Sequence, residues 1–297
     1  MKLILGGTGY IGCEIVRVLE NIKTPLRIFT RNKEGNLSKK LANTEFHFGS
    51  YSERASINSA LKNIECVYHL IHLFGEEKTS SDNSQKKNLR YFKQFLIEAK
   101  KNEVKKIIYF SSAAVYGEKK DKKNTKENSD LNPINNYGNT KLKMENMLVT
   151  FCKKNSINYL IIRPSSIFGK NFKGNIGKNI LYQLIYSLKK NEVFQIYGDG
   201  HSVRDYLHVN DLAKITVQLD KRNCFGKFNI GGYPFSINQI IFLIEKKFNS
   251  KLEVKYGDKK ENEVLKLVLD SKKTFSILGQ KINDLKKLEN EIKDITT

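Results

Sequence analysis

The sequence predicts an α/β fold: a doubly wound parallel sheet covered by helices, followed by a smaller C-terminal α+β lobe. Three observations carry this reading. Short, continuously apolar, β-branched runs alternate with helix-length amphipathic segments up to about residue 165. The first of those runs leads directly into a glycine-spaced turn and then a helical pattern. Beyond residue 165 the regular alternation ends and strand and helix signals become shorter and mixed.

Taken in order, the expected parallel strands are KLIL (2–5), LRIF (26–29), CVYHLI (66–71), KIIYF (106–110) and YLIIR (159–163). Between them, GCEIVRVLENI, SINSALKN, LRYFKQFLIEAKK and NTKLKMENMLVTFCKK place apolar residues at helical spacing. A loop rich in Lys, Asn and Gly (169–178) then precedes a helix near 179–190 and the strand EVFQIY (192–197). DYLHV (205–209) is a strand, with a helix opening at Asn210 or Asp211, and FNI (228–230) is another. Ser236 and Gln239 form a capping box ahead of IIFLIEKKF, and EVKY (253–256) is the last strand. The expected division is 1–165 for the first domain and 166–297 for the second, with some late segments returning to the first sheet. The segment EKKDKKNTKEN (118–128) is the most polar stretch and is expected to be solvated and mobile. No internal repeat is visible.

The chain has 297 residues, of which 39% are hydrophobic, enough for a substantial core. No apolar run reaches the length of a membrane span, and no cleavable leader is expected ahead of a motif that begins at Gly6. The formal net charge of +21 admits nucleic-acid binding, but the lysines are spread along the whole chain, which reads as a solvated lysine-rich surface. Cys13, Cys66, Cys152 and Cys224 have no metal-like spacing and are expected as free thiols of a cytoplasmic protein. His69 and His72 sit in an apolar run, where positions three apart face opposite sides, and are expected to be packed rather than metal-bound.

KLILGGTGYIGCEIV sets a strand, Gly6-x-x-Gly9-x-x-Gly12 and a helix in succession. The first glycine allows the tight turn, the second lets backbone approach a pyrophosphate, and the third lets helix pack close to strand. That pattern makes the first domain a Rossmann-type dinucleotide site.

Three further stretches narrow the class. KKIIYFSSAAVYG (105–117) carries Ser111 and Ser112 at a strand end, NNYGNTK (135–141) carries Tyr137 and Lys141, and GDGHSVRDYLHVNDLA (198–213) carries Arg204 and Asp205. With GGTGYIG and CVYHLI, they resemble the extended short-chain dehydrogenase/reductase family of sugar-nucleotide epimerases, dehydratases and reductases. The resemblance runs from residue 1 to about 270. It implies Ser112, Tyr137 and Lys141 as the catalytic set, with Tyr137 as acid and base and Lys141 also holding the nicotinamide ribose. It implies cofactor contacts at Gly6, Gly9, Tyr10, Ile11, Gly12, Leu70, Tyr137 and Lys141, to which strand-end chemistry adds Arg31. It further implies sugar-nucleotide contacts at Ser112, Ser166, Asn179, Arg204 and Lys260. Ser166 departs from the asparagine common in the family, and Lys260 stands where many members have arginine. The chemistry is consistent with this set: Tyr137 and Lys141, four apart, share a helix face. A phenol with a pKa of about 10 needs a nearby ammonium and an oxidised nicotinamide to become a base.

The family's 4,6-dehydratases carry an Asp-Glu pair after the serine or threonine, and here those positions are Ala113 and Ala114, so dehydration is not expected. The resemblance implies a UDP-hexose or UDP-N-acetylhexosamine 4-epimerase working through a 4-keto intermediate. The alternative is an NADPH-dependent reductase of a nucleotide 4-keto sugar, and a remote one is a non-catalytic RNA-binding protein. The cofactor is NAD or NADP. Thr30 and Arg31 stand where an acid would take the adenosine ribose, and Arg31, aided by Arg27 or Lys33, suits a 2′-phosphate. Ser50 replaces an aspartate that the family often sets against adenine. The family implies a nucleotide-sugar substrate and a homodimer formed through the Tyr-x-x-x-Lys helix and the helix near 86–100, although the apolar stripe of KKNLRYFKQFLIEAKK could equally face the sheet. Membrane insertion is not expected.

Overall fold

A computed structural model describes residues 1–31, 41–74, 81–118, 123–171, 173–177, 179–259, 264–279, 288–290 and 292. The first half runs β1 (Lys2–Leu5), α1 (Tyr10–Asn21), β2 (Leu26–Thr30), β3 (Thr44–Phe48), α2 (Arg54–Ala60), β4 (Cys66–His69), α3 (Ser81–Lys101), β5 (Lys106–Phe110), α4 (Asn136–Lys154) and β6 (Asn158–Pro164). The second half runs β7 (Ser166–Phe168), α5 (Ile180–Lys190), β8 (Phe194–Tyr197), β9 (Val203–His208), α6 (Val209–Lys221) and β10 (Gly226–Ile230). It closes with β11 (Tyr233–Ser236), α7 (Ile237–Phe248), β12 (Val254–Gly257), β13 (Lys266–Leu267) and α8 (Lys272–Leu278).

Seven parallel strands form the main sheet in the order β10-β6-β5-β4-β1-β2-β3. Alternate residues of each apolar run go to opposite faces. Leu3, Leu5, Val67 and Ile107 pack with Ile57, Phe92, Leu96 and Leu148 from α2, α3 and α4. Ile4, Ile28, Tyr68 and Ile108 pack with α1 and α6 on the other side. The doubly wound α/β architecture is therefore the one the sequence predicts. A second sheet centres on β9, which pairs antiparallel with β11 and parallel with β7 and β13, while β8 and β12 pair with each other. A third apolar cluster lies between α5 and α7.

Several expectations need correction. β3 (TEFHF) is a strand the sequence reading did not include; it lies at the sheet edge with no fully buried residue, so it lacks the apolar run that marks the others. β10, by contrast, returns to the main sheet beside β6, as expected of some late segments. α6 begins one residue earlier than expected because His208, and not Asn210 or Asp211, caps it, with Nδ1 accepting from the Asn210 amide at 3.1 Å. The 118–128 segment is not uniformly solvated: Thr125 is buried and bridged to Leu269, and Glu127 accepts from the Asn229 amide at 3.0 Å. His72 lies past the end of β4, so the strand-face argument does not reach it. His69 is enclosed by Phe92 and Phe95 and shares a 2.6 Å hydrogen bond with Tyr51. The apolar stripe of α3 faces the sheet, with Phe92, Phe95 and Leu96 in the core. All four cysteines are free. Among the described residues, no helix is long and apolar enough to cross a membrane.

At the amino edge of the sheet, one carboxylate ties three strands to α6. Asp220 pairs with Lys2 of β1 and with Lys106 of β5 at 2.8 Å, and accepts from the Tyr68 hydroxyl at 2.6 Å. Burial pushes its carboxyl up, but Lys2, Lys106 and Tyr68 outweigh this and hold it below the usual carboxylate range. A carboxylate lowered on folding stabilises the fold above its unfolded pKa of about 3.9, and that stability is lost as pH falls through the lower folded value. Asp220→Asn leaves two lysines against a neutral group and should cost about 3 kcal/mol at pH 7. Urea midpoints should show that loss, and the gap from the parent should narrow below about pH 4.

Candidate active site

The carboxyl ends of β1 and β4 flank the point where strand order reverses, the usual crevice for a ligand in an open parallel sheet. Gly6 opens the turn there with φ +90°, a conformation that suits glycine. A Cβ on Gly12 would lie 2.0 Å from the Gly6 carbonyl oxygen, so α1 can approach the strand only with glycine there. Gly9 is the N-cap of α1 and brings no side-chain cap, and the first turn carries no acid. The open amides and positive dipole end suit a pyrophosphate, so these residues fit a dinucleotide. Leu70 donates its amide to Leu5 at 3.0 Å and sets its Cβ against Gly6. Ile11 is partly buried against the α1 core.

Tyr10 does something the sequence reading did not anticipate. Its hydroxyl donates to the Gly169 carbonyl at 2.7 Å, and its own carbonyl accepts from Asn171 Nδ2 at 3.2 Å. A Cβ on Gly177 would stand 2.6 Å from its ring. Tyr10 therefore fastens the loop before α5 onto the glycine turn.

At the other edge of the cofactor crevice, β5 ends and Ser112 caps a short 3-10 turn (Ala113–Val115), its Oγ accepting from the Ala114 amide at 3.1 Å. Asn135 caps α4 by accepting from the Gly138 amide at 2.8 Å, which places Tyr137 and Lys141 on the first turns of that helix. Lys141 is buried and donates to the Phe110 carbonyl at 2.8 Å, with its ammonium 5.8 Å from the centre of the Tyr137 ring. The His72 ring meets Tyr137 edge-on at 4.9 Å, and His72 Nδ1 is buried without a partner. Ser112, Tyr137 and Lys141 thus come together.

The electrostatics differ from the expectation in one respect. Burial raises the Tyr137 phenol, with only a hydrogen bond from Ser112 pulling it back. Burial also pushes Lys141 down to about 7, partly opposed by Glu145. The lysine alone does not make Tyr137 a base, because its own charge is costly in the same enclosed place.

Ser166, Asn179 and Arg204 surround one cavity of about 370 Å³. Arg204 also lines a neighbouring cavity of about 540 Å³. That larger space runs from Ala114, two residues past Ser112, and Asn135, two before Tyr137, to Phe194–Tyr197 of β8. Arg204 donates to the carbonyls of Val203 at 2.9 Å and Val264 at 2.5 Å. The Asn179 side chain caps α5, accepting from the amides of Leu181 and Tyr182 at 3.0 and 3.4 Å. Lys260 and Lys33 lie outside the described residues. Arg31 is exposed just past β2, and Thr30 beside it is buried. Arg27 is engaged elsewhere: it pairs with Glu45 and donates to the carbonyls of Ala60 and Lys62 at 2.7 Å, so it does not serve a 2′-phosphate. Ser50 shares a 2.7 Å hydrogen bond with Ser52.

Sequence reasoning missed the polar cluster behind the catalytic set. Arg163 and Glu145 are both fully buried and form a two-point ion pair, with Nη2 to Oε2 at 2.6 Å. The signal was present: an arginine inside an otherwise apolar strand demands a buried partner.

The glycine turn at the reversal point, with a Ser, Tyr and Lys set on its far side, defines a Rossmann-type enzyme of the dinucleotide-dependent kind. Residues 2–231 match the model of the NAD dependent epimerase/dehydratase family, and the chain belongs to that family. It is 28% identical to the UDP-glucose 4-epimerase of Lactobacillus helveticus, over 94% of this chain and 91% of that protein. Its fold matches the UDP-glucuronic acid 4-epimerase of Bacillus cereus, solved as a single-residue variant with UDP-4-deoxy-4-fluoro-glucuronic acid and NAD. That match has a TM-score of 0.88 and 25% identity, covering 100% of this chain and 99% of the other. The UDP-N-acetylglucosamine 4-epimerase of Methanobrevibacter ruminantium M1 has the same fold, with a TM-score of 0.86 at 23% identity, covering 99% of this chain and 97% of the other.

The buried lysine has a measurable signature. The folded value of about 7 lies below the unfolded value of about 10.4, so the unfolded chain holds more protons between them. Stability from this group therefore rises with pH across about 7 to 10. Lys141→Met removes the penalty, and its melting temperature relative to the parent should be higher at pH 6 than at pH 9.

Proposed function

We propose that this protein is an NAD(P)-dependent 4-epimerase of a UDP-hexose or UDP-N-acetylhexosamine. The observation that carries the reading is the convergence of Ser112, Tyr137 and Lys141 beside the glycine turn, with the non-titrating Ala113 and Ala114 next to Ser112. The catalytic epimerase relatives support it. A bound nicotinamide would supply reversible hydride acceptance. Tyr137 Oη takes the proton from the sugar C4 hydroxyl and returns it after the 4-keto sugar has turned over. Ser112 Oγ hydrogen-bonds the same oxygen, and a charged Lys141 stabilises the phenolate. Gly6, Gly9, Ile11, Gly12 and Leu70 shape the cofactor crevice. Ser166, Asn179 and Arg204 hold the sugar nucleotide, Arg204 by turning its guanidinium to the diphosphate. The cofactor lobe comprises 1–165 with β10, α6 and α8 added, and the rest of 166–297 forms the substrate lobe. We further assign a homodimer and a cytoplasmic location to the protein. Sedimentation at micromolar concentration tests the dimer.

A second reading, the NADPH-dependent 4-keto-sugar reductase, is favoured by one observation: the exposed Arg31 after a buried Thr30, where NAD sites place an acid. Mass analysis of the nucleotide released on denaturation separates the two. NAD supports the epimerase. NADP, or an empty site preferring NADPH, supports the reductase. In the reductase case Arg31→Ala should lower the preference for NADPH over NADH by about ten-fold or more, and in the epimerase case it should leave cofactor binding unchanged.

Interconversion of UDP-glucose and UDP-galactose, or of their N-acetyl forms, tests the main reading directly. Tyr137→Phe should lower turnover by about a hundred-fold or more while the melting temperature holds.

A further inference from the structure

Glu145 stands one helical turn after Lys141 on α4. Its carboxylate is held from two directions. Arg163 on β6 grips it with Nε to Oε1 at 3.0 Å and Nη2 to Oε2 at 2.6 Å. Ser111 Oγ donates to Oε1 at 2.5 Å. Ser111 immediately precedes Ser112, and the residue before it, Phe110, gives the carbonyl that accepts from Lys141 Nζ at 2.8 Å. One carboxylate is therefore linked to both halves of the catalytic set: through Ser111 to the backbone that carries Ser112 and receives Lys141, and through α4 to Lys141 itself.

The clamp is itself held. Arg163 Nη1 donates to the Tyr116 hydroxyl at 2.7 Å and to the Glu127 carbonyl at 3.1 Å. Tyr116 in turn donates to Asn229 Oδ1 at 2.6 Å. The Arg163 and Glu145 side chains are themselves sealed from water. Stability alone does not account for it, because a buried ion pair replaced by apolar groups of similar volume is often neutral or stabilising.

The surroundings of Lys141 single out the same residue. From β4 and its extension come His69 and His72, both pushed down to about 3 by burial first and by Lys141 second, so neither carries charge at neutral pH. From β5 comes the Tyr109 ring, 5.1 Å from the ammonium. From α4 come Tyr137 and Glu145. Among the described residues, Glu145 is the acid that acts on the lysine.

We propose that Glu145, clamped by Arg163, is the positioning residue of the catalytic set, fixing the Phe110–Ser112 backbone through Ser111 and keeping Lys141 charged beside Tyr137. Its kinetic consequence rests on the 4-epimerase reading; its effect on Lys141 does not. Nitrogen NMR of isotope-labelled lysine side chains reads that effect in the full chain, with the Lys141 signal assigned by its loss in Lys141→Met. Glu145→Gln should move the Lys141 titration midpoint down by about one pH unit or more. An unchanged midpoint overturns the proposal. If Glu145→Gln does not fold, Glu145→Leu with Arg163→Met removes the pair whole, and the midpoint should still fall, by less; an unchanged value again overturns it. Ser111→Ala keeps the ion pair and should lower turnover several-fold at unchanged KM for the nucleotide sugar, whereas unchanged turnover removes the Ser111 link from the proposal. A chain inactive on all UDP-hexoses whose Lys141 midpoint still falls in Glu145→Gln defeats the epimerase reading and keeps the positioning role. An active chain with an unmoved midpoint does the reverse.

Discussion

The reversal of strand order between β1 and β4 is the constraint from which the rest of the site follows. In a parallel sheet every strand must be joined to the next by a crossover, and here β1 leads outward through β2 and β3 before the chain returns to place β4 on the other side. The two sets of connections leave the carboxyl edge in opposite directions, so a crevice opens between them. Gly6 turns in that crevice, and Leu70 walls it from the β4 side. β5, next in order, delivers Ser112 at its end, and α4, crossing from β5 to β6, delivers Tyr137 and Lys141. Side chains roughly 100 to 135 positions from the glycine turn in the chain meet it because the winding gives them no other place.

The same placement creates an electrostatic conflict. A site closed enough to exclude water also penalises the charges it needs. Lys141 has a folded value near 7 and Tyr137 is raised, so burial opposes both members of the ammonium–phenolate pair. The sequence spacing Tyr-x-x-x-Lys predicts their proximity but not this cost, since spacing carries no information on solvation. A carboxylate one turn along the helix, held in place by an arginine, offsets part of that cost. The chain holds a buried ion pair behind the site and an enclosed lysine within it, an arrangement suited to function more than to stability.

What could be read from the residues followed from how completely each element is buried. β1, β2, β4, β5 and β6 are apolar on both faces, so their runs are continuous and mark them plainly. β3 is half covered at the edge, its polar and apolar residues mix, and it does not stand out. The capping box at Ser236 and Gln239 is present as expected because it depends only on local contacts. The cap of α6 falls to His208, which is held by packing against Phe168 in a neighbouring strand, a relation invisible in local sequence. The same division applies to the site. Gly6, Gly12, Ser112, Tyr137 and Lys141 were legible because motif spacing fixes them. The association of Glu145, Ser111 and Arg163 was not, because it is made across three elements, although an arginine in an apolar strand signals a buried partner.

Tyr10 links the glycine turn to the segment before α5. By position it belongs to the glycine motif. Its hydroxyl nevertheless ends on Gly169, and Asn171 returns a hydrogen bond to its carbonyl and a 2.9 Å contact to Cys13 Sγ on the same helix. The loop so fastened leads to Asn179, whose cap sets the direction of α5 and with it one wall of the cavity shared by Ser166 and Arg204. A glycine at 177 is needed for that loop to lie flat on the Tyr10 ring. The glycine turn and the α5 cavity are thus joined by one continuous run of packed atoms.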